Sequence, residues 1–158
     1  MRKLILEDFL EDIDYALIGI HCSIEDYRLA YLLNQHLGLN LKRKASDIEY
    51  NDTSSYSIFE WEDDKQLTVW NLASNTCKIE VKDAIDADSL FINDESFTKT
   101  KHLIPEYKKV NFILKISEIP NQNIEKVILN KILSIPQVMT AYSIDATQLK
   151  TTDNLIFN

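Results

Sequence analysis

His21 and Cys22 are the first side chains in this chain whose types and placement could do chemistry: an imidazole beside a thiol, closing the apolar run Tyr15–Ile20. A cysteine at the start of a helix is stabilised as a thiolate by the helix dipole, which would make Cys22 a nucleophile. Two features oppose that role. Neighbouring strand residues point to opposite faces, so His21 does not activate Cys22 while the strand persists. Glu25 and Asp26 follow closely, and their charges disfavour a thiolate. A packed, inert cysteine is the preferred reading. Asp8, Glu11, Asp12 and Asp14 form an acidic run that could attract a divalent cation. They lack the glycine turn and alternating spacing of a calcium loop, so a solvated acidic segment is expected.

His36 falls on an apolar helical stripe, where a hydrogen-bonded core or boundary histidine is the usual outcome. The three histidines and two cysteines show no zinc-ligand spacing. Cys22 and Cys77 are far apart and read as two buried free thiols of a cytoplasmic protein. No residue is therefore assigned a catalytic, cofactor-binding or metal-binding role. Folding is expected to need neither metal nor organic cofactor.

Only two glycines occur, Gly19 and Gly38. Phosphate-cradling loops need several, so that backbone amides can approach the anion. The G-x-G-x-x-G and G-x-x-x-x-G-K-[ST] patterns are absent, as are G-x-S-x-G and H-E-x-x-H. Seventeen basic against 25 acidic side chains leave a net charge of −8. That field repels phosphate backbones, and no nucleic-acid partner is expected. Two basic groups stand out locally: Lys42-Arg43-Lys44, and the set Lys99, Lys101, His102, Lys108 and Lys109 around Pro105. Both read as solvated surface. The opening MRKLILEDFLED has no signal-peptide core, and no apolar run approaches the roughly 20 residues that span a bilayer. A cytoplasmic protein without membrane contact is expected.

The elements that must position these residues follow from periodicity. A short opening strand is read at residues 3–7, and a doubly covered strand at Tyr15–Ile20. Ser23 is the candidate N-cap of a helix from Ile24 to Leu37, with Asp26 completing an acidic capping box. Gly38 stops the helix in a left-handed turn. A third strand is expected over Leu39–Ile48. Then Tyr56–Glu62 and Gln66–Ala73 form a hairpin around Asp63-Asp64-Lys65. That turn places Trp61 opposite Leu67 and Phe59 opposite Val69, with Ile58 facing Trp70 on the other side. Thr76–Lys82 is a further strand, and residues 83–106 read as loop with one helical turn. Val110–Ser117 alternates cleanly, a helix begins near Ile124, and Pro136 separates it from a strand at Val138–Ile144.

The chain of 158 residues is thus one α+β domain. It contains two strand-helix-strand units, as a ferredoxin-like βαββαβ arrangement needs, with an antiparallel β-hairpin insertion between them. The hairpin carries large apolar groups on both faces. Trp61, Trp70, Phe59 and Ile58 are accordingly the candidate interaction residues, for a homodimer or another protein partner.

The segment from His102 to Phe112, HLIPEYKKVNF, resembles the signature of the IPExxxDY proteins, a bacterial family known by its motif. Ile104, Pro105 and Glu106 match its first half, and a strand follows directly. Asn111 and Phe112 stand near the Asp and Tyr positions, one residue out of step, as uncharged and deoxygenated counterparts. Asn supplies no negative charge and Phe no proton, so an acid-base role for that pair is disfavoured. The resemblance implies a bacterial protein and brings no mechanism with it. The expected function is a noncatalytic protein-interaction module. A small enzyme, or a ligand-binding regulatory domain, with a spatially assembled site is the alternative.

Overall fold

The computed structural model describes residues 15–50, 53–82, 96–119 and 122–157. The opening strand at 3–7 and the acidic run from Asp8 to Asp14 lie outside them. In order, the elements are β1 (Tyr15–His21), α1 (Asp26–Leu37), β2 (Lys42–Arg43), β3 (Ile48–Glu49) and β4 (Ser55–Tyr56). There follow β5 (Ile58–Asp63), β6 (Thr68–Ser74), β7 (Thr76–Lys82), β8 (Ser96–His102), β9 (Phe112–Ser117), α2 (Gln122–Leu133) and β10 (Thr140–Ile144). The fold class is α+β. Six strands make one antiparallel sheet in the order β10-β1-β9-β6-β5-β2. Two short ribbons, β3-β4 and β7-β8, stand outside it.

Each face of the sheet carries its own core. On one face Ile18, Ile20, Leu72, Leu114 and Ile116 meet Leu29 and Leu33 of α1 and Ile128 and Ile132 of α2. On the other, Leu17, Ala73, Ile113 and Ile144 are covered by Leu103, Ile104, Val110, Leu149 and Leu155. Burial on both faces explains why β1 reads as a continuous apolar run. Gly19 faces the second core, where a Cβ would sit 3.0 Å from Ile144 Cδ1 and from Val110 Cγ2. The six residues expected in the core of the first unit, Leu17, Ile18, Ile20, Leu29, Leu32 and Leu33, are all buried.

Helix α1 ends as read: Gly38 adopts φ +71° and its N–H donates to Asn34 O at 3.0 Å. Its start differs. Glu25, not Ser23, occupies the cap position, without a side-chain bond to the helix, and Asp26 accepts the N–H of Tyr27 instead. The third strand shrinks to β2. The Asn34 amide clamps both backbone groups of Leu41, and an Arg43–Asp47 ion pair accompanies the bend that sends β3 to pair with β4.

The hairpin register is corrected by three residues. The Asp63 carboxylate accepts the N–H groups of Lys65 and Gln66, which moves the turn to residues 64–67, with Leu67 at φ 56°. Trp61 therefore pairs with Trp70, Phe59 with Leu72 and Ile58 with Ala73. Trp70 shares the helix-covered face with Trp61 and Phe59; it does not share a face with Ile58. The segment 83–106 also changes. Residues 83–95 lie outside the described part, while Ser96–His102 is a full strand paired along β7, and Pro105–Tyr107 is a single 3-10 turn. Its polar sequence, SFTKTKH, hid the strand because the alternation there is of threonine with lysine.

Candidate functional site: the tryptophan cleft and the clamp around Asn75

Three of the four candidate interaction residues are buried within the chain: Ile58 and Phe59 of β5, and Trp70 of β6. Trp61 alone of the four keeps open surface. Its ring lies 6.3 Å from that of Trp70 at a tilt of 33°, and the Trp70 indole N–H donates to Thr68 Oγ1 at 3.1 Å. The two indoles form one wall of a cleft of about 190 Å³. Leu37, Gly38 and Leu39 at the end of α1 and Ile124, Val127, Ile128 and Lys131 of α2 complete it, with Asp63 and Gln66 from the hairpin turn. Val127 is 52% exposed on its rim. Beside the cleft, Leu67 is 73% exposed and holds a positive φ that a leucine adopts only at a cost.

The motif residues divide between the two faces of the sheet and the surface. Ile104 is fully buried, and Pro105 opens the 3-10 turn. Glu106 accepts the backbone N–H groups of Lys150 at 2.8 Å and Thr151 at 3.3 Å, and the Thr151 hydroxyl at 2.8 Å. Its slight burial pushes the carboxyl upward, but the hydrogen bonds from Thr151 and Lys150 outweigh this and hold it below the usual glutamate range. Asn111 Oδ1 accepts Cys22 N–H at 3.1 Å, and Asn111 N–H donates to Ile20 O. Phe112 is buried on the helix side. At the described positions the motif acts as a structural brace.

At the centre of that brace is Asn75, which lies between two strands where a turn is the ordinary expectation. Asn75 is fully buried. Its carbonyl oxygen accepts Ile104 N–H at 2.7 Å, and its amide donates to Tyr107 O and Val110 O, both at 2.8 Å. Its own backbone bonds Asn111 O and Leu103 N–H at 2.9 Å each. A polar residue after a strand is a common turn signal, and nothing local marks it as a hub for partners some thirty residues away. Lys115 was missed for the same reason. Its ammonium lies over the rings of Tyr15 at 4.7 Å and Phe157 at 5.2 Å and donates to Leu155 O at 2.6 Å. Burial pushes its pKa down.

The remaining reactive candidates do not assemble a site. Cys22 is buried and burial raises its thiol pKa, against a hydrogen bond from Ile24 N–H that lowers it. His21 turns away to Tyr142, with Nε2 3.1 Å from the phenol oxygen. Cys77 is a second free thiol, half-buried, and its sulfur accepts Ser55 N–H at 3.3 Å. His36 is exposed, not on the core stripe. In the first basic group Arg43 pairs with Asp47, and Lys44 with Glu60 at 3.4 Å. Lys99 is exposed on the β7-β8 ribbon, and Lys108 and Lys109 are exposed after the 3-10 turn. Among the described residues no three His, Cys, Asp or Glu side chains converge as a metal site, and no helix is long and apolar enough to cross a membrane. No family model, no curated protein and no solved structure matches the chain.

Proposed function

We propose that this chain is a noncatalytic protein-interaction module of the bacterial cytoplasm, related to the IPExxxDY proteins, that docks a partner at the tryptophan cleft. The observation that carries the reading is Trp61, an indole left partly open between two helices and a hairpin turn, next to the exposed Val127. Tryptophan at the centre of an apolar depression is the residue type whose truncation most often weakens an interface. Leu67 adds to it. An exposed leucine at φ 56° carries backbone strain without any gain in burial, and strain of that kind gathers at functional surfaces. The cleft volume, about 190 Å³, falls below the roughly 300 Å³ at which small-molecule sites begin, which favours a docked side chain over a substrate.

A ferredoxin-like core is the architecture we assign beneath this surface. The support is the pairing itself: β1 and β6 run parallel with β9 between them, and β9 and β10 run parallel with β1 between them. These are two split βαβ units, with α1 and α2 on one face. On this reading β2 to β5, β7 and β8 are additions around it.

Size-exclusion chromatography with light scattering, paired with capture from native cell extract, tests the docking role. Trp61→Ala should keep the melting temperature within a few degrees while abolishing an association that the wild type makes. A wild type that neither self-associates nor captures any protein in a Trp61-dependent way would overturn the proposal.

A further inference from the structure

We infer that the segment received by the cleft presents an apolar side chain between an acid and a base, the acid meeting Lys131 and the base meeting Asp63; this rests on the docking role proposed above. The apolar anchor follows from the indole wall of Trp61 and Trp70 facing Val127. The charges follow from what lines the same cleft. Lys131 projects from α2 four residues after Val127, and Asp63 closes β5 on the hairpin side. The two do not form an ion pair with each other or with another described side chain. Asp63 is 9% exposed, and its Oδ1 receives the N–H groups of Lys65 and Gln66, which fixes the carboxylate at the turn and leaves Oδ2 as the oxygen to meet a cation. Lys131 is exposed and free to accept a carboxylate at the mouth.

Opposite charges set apart across an apolar depression impose a polarity on whatever lies between them. A segment with acids alone would meet Lys131 but would also face Asp63 and the −8 field of the chain. One with bases alone would leave Lys131 opposed by a like charge. An apolar anchor flanked by one of each satisfies both ends. The small cleft volume limits the anchor to a side chain of leucine or phenylalanine size.

Two blocked peptides without tryptophan serve as probes for the full chain: acetyl-Arg-Ala-Leu-Ala-Glu-amide and the reverse order, acetyl-Glu-Ala-Leu-Ala-Arg-amide. Binding is read from the emission of Trp61 and Trp70 and by calorimetry. One order should give a saturable change in the millimolar range or below. Replacing its leucine by serine, or both its charges by serine, should weaken binding at least tenfold. Lys131→Glu, an exposed change checked for folding by circular dichroism, should lose the probe by a similar factor. It should regain affinity for a version in which lysine replaces the probe's glutamate. Absence of saturable binding, or equal affinity for charged and uncharged probes, sinks the assignment. If Trp61→Ala abolishes association with the native partner while Lys131→Glu leaves it unchanged, docking stands and the charge pattern falls.

Discussion

Asn75 illustrates how one side chain can fix the path of a segment distant in sequence. All of its hydrogen-bonding capacity that matters is spent on three backbone groups between Ile104 and Val110, in a site closed to water. Removing the amide strands the Ile104 N–H and the Val110 carbonyl, each costing about 1–3 kcal/mol when buried, while Tyr107 O keeps the Val110 N–H. Asn75→Ala should therefore lower unfolding free energy by about 2 kcal/mol or more, read from the urea midpoint. Asn75→Asp keeps the acceptor for Ile104 N–H but turns a carboxylate towards two carbonyls, so it should be no better tolerated. An effect below about 1 kcal/mol would remove Asn75 from the centre of the brace. The same scale explains the fate of the motif residues. Asn111, with no charge to offer, spends its amide on the backbone of Cys22, and the thiol beside it stays buried and protonated at neutral pH.

At the scale of elements, β1, α1, β9, α2 and β10 were legible because each combines an apolar period with a clear stop. Leu29 and Leu33 lie one turn apart on α1, and Gly38 ends it. Leu33→Ala should cost about 2–5 kcal/mol, since the site is fully buried. Gly38→Ala should cost about 1 kcal/mol through the left-handed conformation, although nothing lies within 4 Å of the added methyl. What failed was decided by side chains acting across the chain. The hairpin register depended on Asp63 capturing two turn amides, a bond with no signature in apolar alternation. The error carried straight to the candidate site, since it separated Trp70 from Trp61 when the two in fact pair. The cleft could not be read at all, because α2, the end of α1 and the hairpin meet only in space. Leu67→Gly tests the turn directly: relief of strain should offset the entropy of glycine and raise stability by up to about 1 kcal/mol in thermal melts.

For the molecule as a whole, the second face of the sheet depends on the segment after β10. Leu155 is 1% exposed there, Lys115 holds its carbonyl, Asn154 Nδ2 donates to Leu103 O at 2.8 Å, and Glu106 grips Lys150 and Thr151. Of these ties only the Glu106 carboxylate changes charge in mildly acidic solution. Its folded pKa is lowered, so the unfolded chain takes up its proton first as pH falls. The stabilisation is complete above the ordinary glutamate value of about 4.3 and is lost as pH drops through the folded value. Lys115 contributes a slope of the same sign that ends at the ordinary lysine value of about 10.4, because burial lowers its folded pKa and the cost of the buried ammonium is relieved as it deprotonates. The acid limb therefore isolates Glu106 from Lys115, with Asp145, also lowered by its Thr147 hydrogen bonds, as a common background. Glu106→Gln retains an acceptor for the tail but no titrating group. Urea unfolding measured from neutral pH down to about pH 3 should show the wild type losing more stability than Glu106→Gln, with the difference appearing only below the ordinary glutamate pKa. Leu155→Ala supplies the complementary arm: it should lower stability by about 2–5 kcal/mol at every pH, because it opens the same face without touching a charge. Parallel acid limbs for wild type and Glu106→Gln would mean that the tail is held by its apolar contacts alone.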